Sequence, residues 1–123
     1  MKDIQIENIT IGVGHKPFVI AEMSGNHNQS IDRAMAIIDA AAEAGAHAVK
    51  LQTYTPDTMT INTSGGLFEI NDPDSLWKGR NLYDLYKEAH TPWEWHKPLF
   101  DHARKKGLLI FSTPFDESAV DFL

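Results

Sequence analysis

Ala46-His47-Ala48-Val49-Lys50-Leu51-Gln52-Thr53 reads as a β-strand, and what flanks it decides the fold. Just before it stands Gly45, where a glycine that ends a helix belongs. Behind that glycine, Ile31, Ala34, Met35, Ile38 and Ala42 recur at helical spacing. Ser30 is placed to cap this helix, and Asp32 falls in the first turn, where the helix dipole favours an acid. Further back, Phe18 to Glu22 forms an apolar run bracketed by Pro17 and Gly25, a second strand. Strand, helix, strand over about thirty residues is a βαβ unit, so the two strands should run parallel with a right-handed crossover. The first strand ends on one carboxylate, Glu22, and breaks into Ser24-Gly25-Asn26-His27-Asn28.

Forward of the strand, residues 54–81 are crowded with Thr, Asn, Asp, Gly and Pro, a connection long enough to be disordered or functional. Its Leu67, Phe68, Ile70, Leu76 and Trp77 suggest that it folds down onto something. Leu82, Leu85, Tyr86 and Ala89 make a short helix with Asn81 as its cap. Thr91-Pro92-Trp93-Glu94 carries the pattern of a capping box with proline at the first helical position. Trp95, Leu99 and Ala103 give that helix its inner stripe, Gly107 ends it, and Pro98 inside it should kink it. Leu108 to Thr113 is a third strand, and Asp116 or Ser118 opens a further helix. Ahead of all this, Ile4-Gln5-Ile6 and Ile9-Thr10-Ile11 read as a small hairpin laid over the end of the main sheet.

Bulk properties narrow the function classes. The 123 residues make one domain at most, or part of a larger one. Hydrophobic content of 42% with three Trp, six Phe and three Tyr supports a packed core and argues against disorder. A net charge of −6 argues against nucleic acid or an anionic membrane as partner, since both reward a basic patch. Without cysteine there is no disulfide and no thiolate metal site, which suits a reducing compartment. The start lacks the apolar core of a signal peptide and no run approaches a membrane span, so the expected location is cytoplasmic.

Parallel strands normally read as near-continuous apolar runs. Here their carboxyl ends turn polar. Lys50 and Gln52 share a parity and point to one face. A lysine there needs a partner, and Glu22 on the preceding strand is the obvious one. Thr113 adds a hydroxyl at the same level of the third strand. In a (β/α)₈ barrel that level is the active-site face. Lys50 suits a phosphate or carboxylate, with Thr113 as a donor beside it. Gln52 can hold sugar or carboxylate oxygens; Glu22 could accept from hydroxyls or act as a base. Singly, each has a bland reading: a cross-strand Glu–Lys pair is more often structural, and Gln52 and Thr113 are more often solvated strand ends. Three polar strand ends together favour a site for a small anionic, polyhydroxylated ligand. Of the six histidines, His15, His47, His90, His96 and His102 read as surface or capping groups, whereas His27 in the first βα loop could touch substrate. No histidine pair has metal-ligand spacing.

With these segments in view, the chain resembles the amino-terminal part of a sialic-acid synthase family enzyme. The likeness is carried by Ile20-Ala21-Glu22 with Asn26-His27-Asn28, by Ala44 to Thr53, and by Ser112-Thr113-Pro114-Phe115-Asp116. Tyr54-Thr55-Pro56-Asp57-Thr58, Leu76-Trp77, Leu82-Tyr83-Asp84-Leu85-Tyr86, Thr91 to His96 and Glu22-Met23-Ser24 resemble its pseudaminic acid branch most closely. The resemblance implies an α/β fold made of the first three βα units of a TIM (β/α)₈ barrel. Residues 1–16 would be an amino-terminal β arm, and 17–123 a partial barrel whose remaining strands and antifreeze-like carboxyl-terminal domain lie outside this sequence. It further implies condensation of phosphoenolpyruvate with an open-chain acetamido sugar, 2,4-diacetamido-2,4,6-trideoxy-altropyranose, to pseudaminic acid and phosphate. N-acetylneuraminate or legionaminate synthesis is the alternative within the family. By position Lys50 and Thr113 would contact phosphoenolpyruvate with Gln52 nearby as a further substrate-binding residue, Glu22 would face the reacting end of the sugar, and Asn26 and His27 would line its pocket. A divalent metal, Mn²⁺ or Mg²⁺, would polarise the aldehyde from ligands outside these residues, and the full-length protein would be a homodimer. The 123 residues alone are expected to be inactive. Outside the family, a non-catalytic remnant keeping an anion pocket and an unrelated TIM-barrel sugar isomerase remain as readings.

Overall fold

The computed structural model describes residues 2–123. Two short strands, β1 (Ile4–Ile6) and β2 (Ile9–Ile11), pair antiparallel as a separate hairpin. The main sheet has the order β3-β4-β5, with β3 (Ile20–Glu22), β4 (Ala48–Thr53) and β5 (Leu109–Pro114) all parallel. Its register sets Glu22 beside Lys50 and Gln52 beside Thr113. The first strand is shorter than its apolar run, although the Val19 carbonyl already accepts from the His47 and Ala48 amides. The third begins and ends one residue later than the apolar pattern suggests.

Helix α1 (Ile31–Glu43) links β3 to β4. Ser30 caps it, its hydroxyl accepting from the Arg33 amide at 3.2 Å, and Gly45 follows with φ +79°, a conformation that only glycine adopts without strain. Beyond β4 the long connection is more regular than its composition suggests. It contains α2 (Pro56–Met59), started by a capping box between Thr55 and Thr58, a 3₁₀ turn at Gly66–Phe68, and a bridge pairing Glu69 with Asn81. Its apolar residues do not all fold down: Leu67 is 93% and Leu76 92% exposed. Helix α3 (Leu82–Ala89) follows, with the Asn81 side chain accepting from the Tyr83 amide at 2.8 Å.

Two expectations fail in the next helix. The Thr91–Glu94 capping box does not form, because Trp93–Trp95 is a 3₁₀ turn and the Thr91 hydroxyl bonds His27 instead. Helix α4 (His96–Lys105) starts only after that turn, which puts Pro98 third in the helix. Amides in the first turn have no intrahelical acceptor, so proline removes no bond there and the expected kink has no cause. Helix α5 (Glu117–Phe122) is capped by Asp116, which accepts from the Ser118 amide.

The core explains which face of the sheet is in use. Ala21, Val49, Leu51 and Ile110 pack with Ala34 and Ile38 of α1 and Leu99 and Ala103 of α4. Side chains alternate along a strand, so Glu22, Lys50, Gln52, Phe111 and Thr113 occupy the opposite face. Among the described residues no helix covers that face, and Phe111 on it is 40% exposed. The hairpin lies toward the amino ends of the strands, where Ile6, Glu7 and Asn8 share a cavity with Ala48 and Leu109. The carboxyl ends stay open. No helix is long and apolar enough to cross a membrane among the described residues.

Candidate functional site

The open face carries a line of polar groups at the carboxyl ends of its strands. Lys50 Nζ sits 2.5 Å from Glu22 Oε1, an ion pair between neighbouring strands. Gln52 lies two residues on along β4, about 7 Å further at the rise of a strand, and Thr113 is its register partner on β5. The Lys50 and Glu22 side chains keep 29% and 49% of their exposure. An ion pair that open to water is worth about 0–1 kcal/mol, so fold stability does not account for a lysine at this place. Its ammonium has donors to spare for a second, anionic partner.

The loop after β3 is held by its own bonds and by those it makes to the α3–α4 junction. Ser24, Asn28 and Gln29 adopt left-handed φ values of 47°, 48° and 54°, each of which costs a non-glycine residue about 1 kcal/mol. Gln29 Nε2 donates to the carbonyls of Glu88 and His90, both at 2.7 Å. A Cβ on Gly25 would meet Ala89 at 3.0 Å, so the backbone can approach α3 only with glycine there. Asn26 stands exposed on this loop, its side-chain amide donating to the Met23 carbonyl at 3.0 Å and its oxygen without a partner among the described residues.

His27 is not with the strand-end groups. It is fully buried, edge-on to Trp95 at 5.4 Å. Its Nδ1 accepts from the Gln29 amide, so Nε2 carries the hydrogen and donates to the Thr91 hydroxyl, both at 3.2 Å. The ring therefore pins the loop to the start of the α4 segment, and this structure leaves it no face for a ligand. His96, expected at the surface, is buried as well. Its Nδ1 donates to the Trp93 carbonyl, so Nε2 accepts from the Thr53 hydroxyl at 2.7 Å, and Ser112 donates to Thr53 at 2.6 Å. Sequence reasoning missed this network. The signal was present: Thr53 and Ser112 have the parity of the core residues, where a hydroxyl needs a partner. Of the other histidines, His47 accepts from the Val19 amide, and His102 and Lys106 both hold Asp39 of α1.

Burial lowers the pKa of both His27 and His96, for His27 with help from the charge of His90. Both are neutral in the fold but take up protons in the unfolded chain near their ordinary value of 6.5. The unfolded state then binds more protons below that pH, so acid favours unfolding. Stability should be flat above pH 6.5 and fall on acidification at up to about 1.4 kcal/mol per pH unit for each histidine. Urea denaturation between pH 5 and 8 measures this, and replacing both histidines should flatten the slope.

A metal does not fit these residues. Among the described residues no three His, Asp or Glu side chains are grouped to hold one. Glu22 is engaged by Lys50, and both nitrogens of His27 are used. Beyond the strand ends a cavity of about 460 Å³ opens between the loop after β3 and α3, with Asn26 and Tyr54 on its walls.

A parallel α/β unit whose polar groups gather at the strand carboxyl ends is the architecture of barrel and doubly wound enzymes. The NeuB family profile matches residues 37–123, and the chain belongs to that family. It is 48% identical over 108 residues to the pseudaminic acid synthase of Campylobacter jejuni, covering 88% of this chain and 31% of that one. The N,N'-diacetyllegionaminic acid synthase of Legionella pneumophila is more distant, 36% identical over 108 residues, 86% of this chain and 29% of that one. Among solved structures, N-acetylneuraminic acid synthetase from Leptospira borgpetersenii, in complex with citrate, superposes with a TM-score of 0.76 at 29% identity. That match covers 99% of this chain and 37% of the other. The chain thus spans about a third of the length of the curated relatives it matches.

Proposed function

We propose that residues 17–123 are the first three βα units of a TIM barrel that condenses phosphoenolpyruvate with an open-chain diacetamido sugar to form pseudaminic acid. The observation that carries this reading is the Glu22–Lys50 pair on the uncovered face of the sheet, with Gln52 and Thr113 beside it. One face packed by helices and the other left open, with polar groups gathered at the carboxyl ends of its strands, is what suits the wall of a barrel. The 48% identity to a pseudaminic acid synthase, against 36% to a legionaminic acid synthase, supports the diacetamido sugar as substrate. N-acetylneuraminate and legionaminate remain the second choice.

In the reaction, carbon 3 of phosphoenolpyruvate attacks the aldehyde carbon and the aldehyde oxygen gains a proton. Water adds to the cation left at carbon 2, and the resulting adduct expels phosphate by C–O cleavage to leave the keto acid. Lys50 holds the anionic end of phosphoenolpyruvate while the Thr113 hydroxyl and Gln52 amide bond its oxygens. Holding it against the wall of the site supplies the orientation that turns a bimolecular step into a local one. Glu22 keeps the Lys50 ammonium aimed across the strands and presents its second oxygen to the reacting end of the sugar. Asn26 offers its side-chain carbonyl oxygen to a sugar hydroxyl. His27 acts at one remove, by fixing the loop that carries Asn26. The divalent metal expected for the aldehyde would be held by residues outside this segment.

A sugar panel tests the assignment. The complete synthase carrying this segment should release phosphate from phosphoenolpyruvate with 2,4-diacetamido-2,4,6-trideoxy-altropyranose and far more slowly with N-acetylmannosamine. Residues 2–123 alone should release none. Equal or faster turnover of N-acetylmannosamine moves the assignment to neuraminate synthesis; no phosphate with any sugar removes the enzyme reading and leaves the non-catalytic one.

A further inference from the structure

The cavity between the loop after β3 and α3 has chemistry of its own. Tyr54, one residue beyond β4, is only 4% exposed, and its ring is wedged edge-on between Tyr86 at 5.9 Å and Phe115 at 5.3 Å. Its hydroxyl has no hydrogen-bond partner among the described residues, where Trp93 bonds only its backbone carbonyl. Asp116 Oδ1 is the one enclosed side-chain polar atom without a partner among them, so the Tyr54 hydroxyl is not sealed, and Tyr54 lines the cavity. Burial, with Tyr86 adding to it, pushes the Tyr54 pKa up to about 12, which keeps it a donor at every physiological pH.

The other groups on the cavity wall complement it. The Arg33 guanidinium and the Asn28 side chain have no hydrogen-bond or ionic partner among the described residues, and both face this space. Glu88 also lines it, with its carboxylate already held by Arg80 at 2.6 Å. With Glu88 paired to Arg80, the Arg33 guanidinium is the uncompensated charge on the wall, and its N–H groups donate to a carbonyl oxygen. Donors outnumber free acceptors, which asks for an accepting group on the ligand. Trp77, 49% exposed, supplies a flat apolar wall. A group with a carbonyl to accept and a methyl to bury fits both the donors and the apolar wall, and an acetamido group is that group.

We infer that this cavity, with the Tyr54 hydroxyl as its fixed donor, is the specificity pocket that reads an acetamido substituent of the sugar. The inference rests on the condensation proposed above and assigns that substrate's side group to Tyr54, Arg33 and Trp77. Recognition by a buried hydroxyl discriminates strongly, because a ligand lacking the carbonyl leaves the donor unpaired.

Tyr54→Phe removes the hydroxyl and keeps the ring, so the fold survives. In the complete synthase it should raise the KM for the diacetamido sugar about tenfold, the worth of one such bond, and leave the KM for phosphoenolpyruvate unchanged. Its preference for that sugar over an analogue with one acetamido group replaced by hydroxyl should fall by a similar factor. Unchanged sugar KM and unchanged preference would overturn the inference, as would inorganic phosphate competing with the sugar for this pocket. Calorimetric binding separates the two readings. Acetamido-sugar binding that weakens in the Tyr54 variant, in a protein with no turnover, supports this pocket and removes the condensation. Turnover with sugar binding indifferent to Tyr54 does the reverse.

Discussion

Lys50→Met in the complete synthase should lower kcat/KM for phosphoenolpyruvate by about 10²- to 10³-fold, the usual loss when a charge that steadies a reacting anion is removed. Methionine keeps the length and apolar stem of the side chain and deletes only the ammonium. The Glu22 carboxylate left behind is 49% exposed, so water can solvate it and the fold should hold. Sugar binding should change little. The variant therefore separates an anion-binding lysine from a structural one: steady-state kinetics should move by orders of magnitude while the melting temperature stays within a few degrees. A melting temperature that collapses with kinetics intact would make the pair structural.

The second large effect should be on stability. His96→Ala deletes a 4% exposed ring whose two nitrogens link the Trp93 carbonyl to Thr53 and, through it, Ser112. The loss combines a cavity with a hydroxyl that no longer has an acceptor, about 2–4 kcal/mol in all. In a complete barrel that corresponds to a fall of roughly 5–10 °C in melting temperature. Thr53→Val, which takes out the central hydroxyl without a cavity, should cost about 1–3 kcal/mol. Because Thr53 adjoins Gln52 and Ser112 adjoins Thr113, the network also fixes the strand ends from behind the site. A variant melting within 2 °C of wild type, as read by circular dichroism, would contradict this account of the network.

What could be read from sequence follows from how local its cause is. Ser30, Gly45 and Asn81 mark helix ends by bonds spanning two or three residues, and each sits where the spacing put it, while Asp116 is the one of two candidates, with Ser118, that caps the last helix. The β3–α1–β4 unit and the shared face of Lys50 and Gln52 follow from periodicity alone. Thr91 shows the limit. Its local pattern offered a capping box, but His27, distant in sequence, competes for the hydroxyl and takes it. His27 shows the same limit from the other side, since nothing within a few residues tells a buried imidazole from a ligand-facing one. The covering of only one sheet face is likewise a tertiary fact, visible only once α1 and α4 are seen to pack on the same side.

The fate of the bridging oxygen of phosphoenolpyruvate tests the central claim most directly. With ¹⁸O between carbon 2 and phosphorus, the complete synthase and its diacetamido sugar should yield phosphate carrying the label and a keto acid without it. That is C–O cleavage after attack by carbon 3. Label retained at carbon 2 of the product, or phosphate released with no new carbon–carbon bond, would contradict the account.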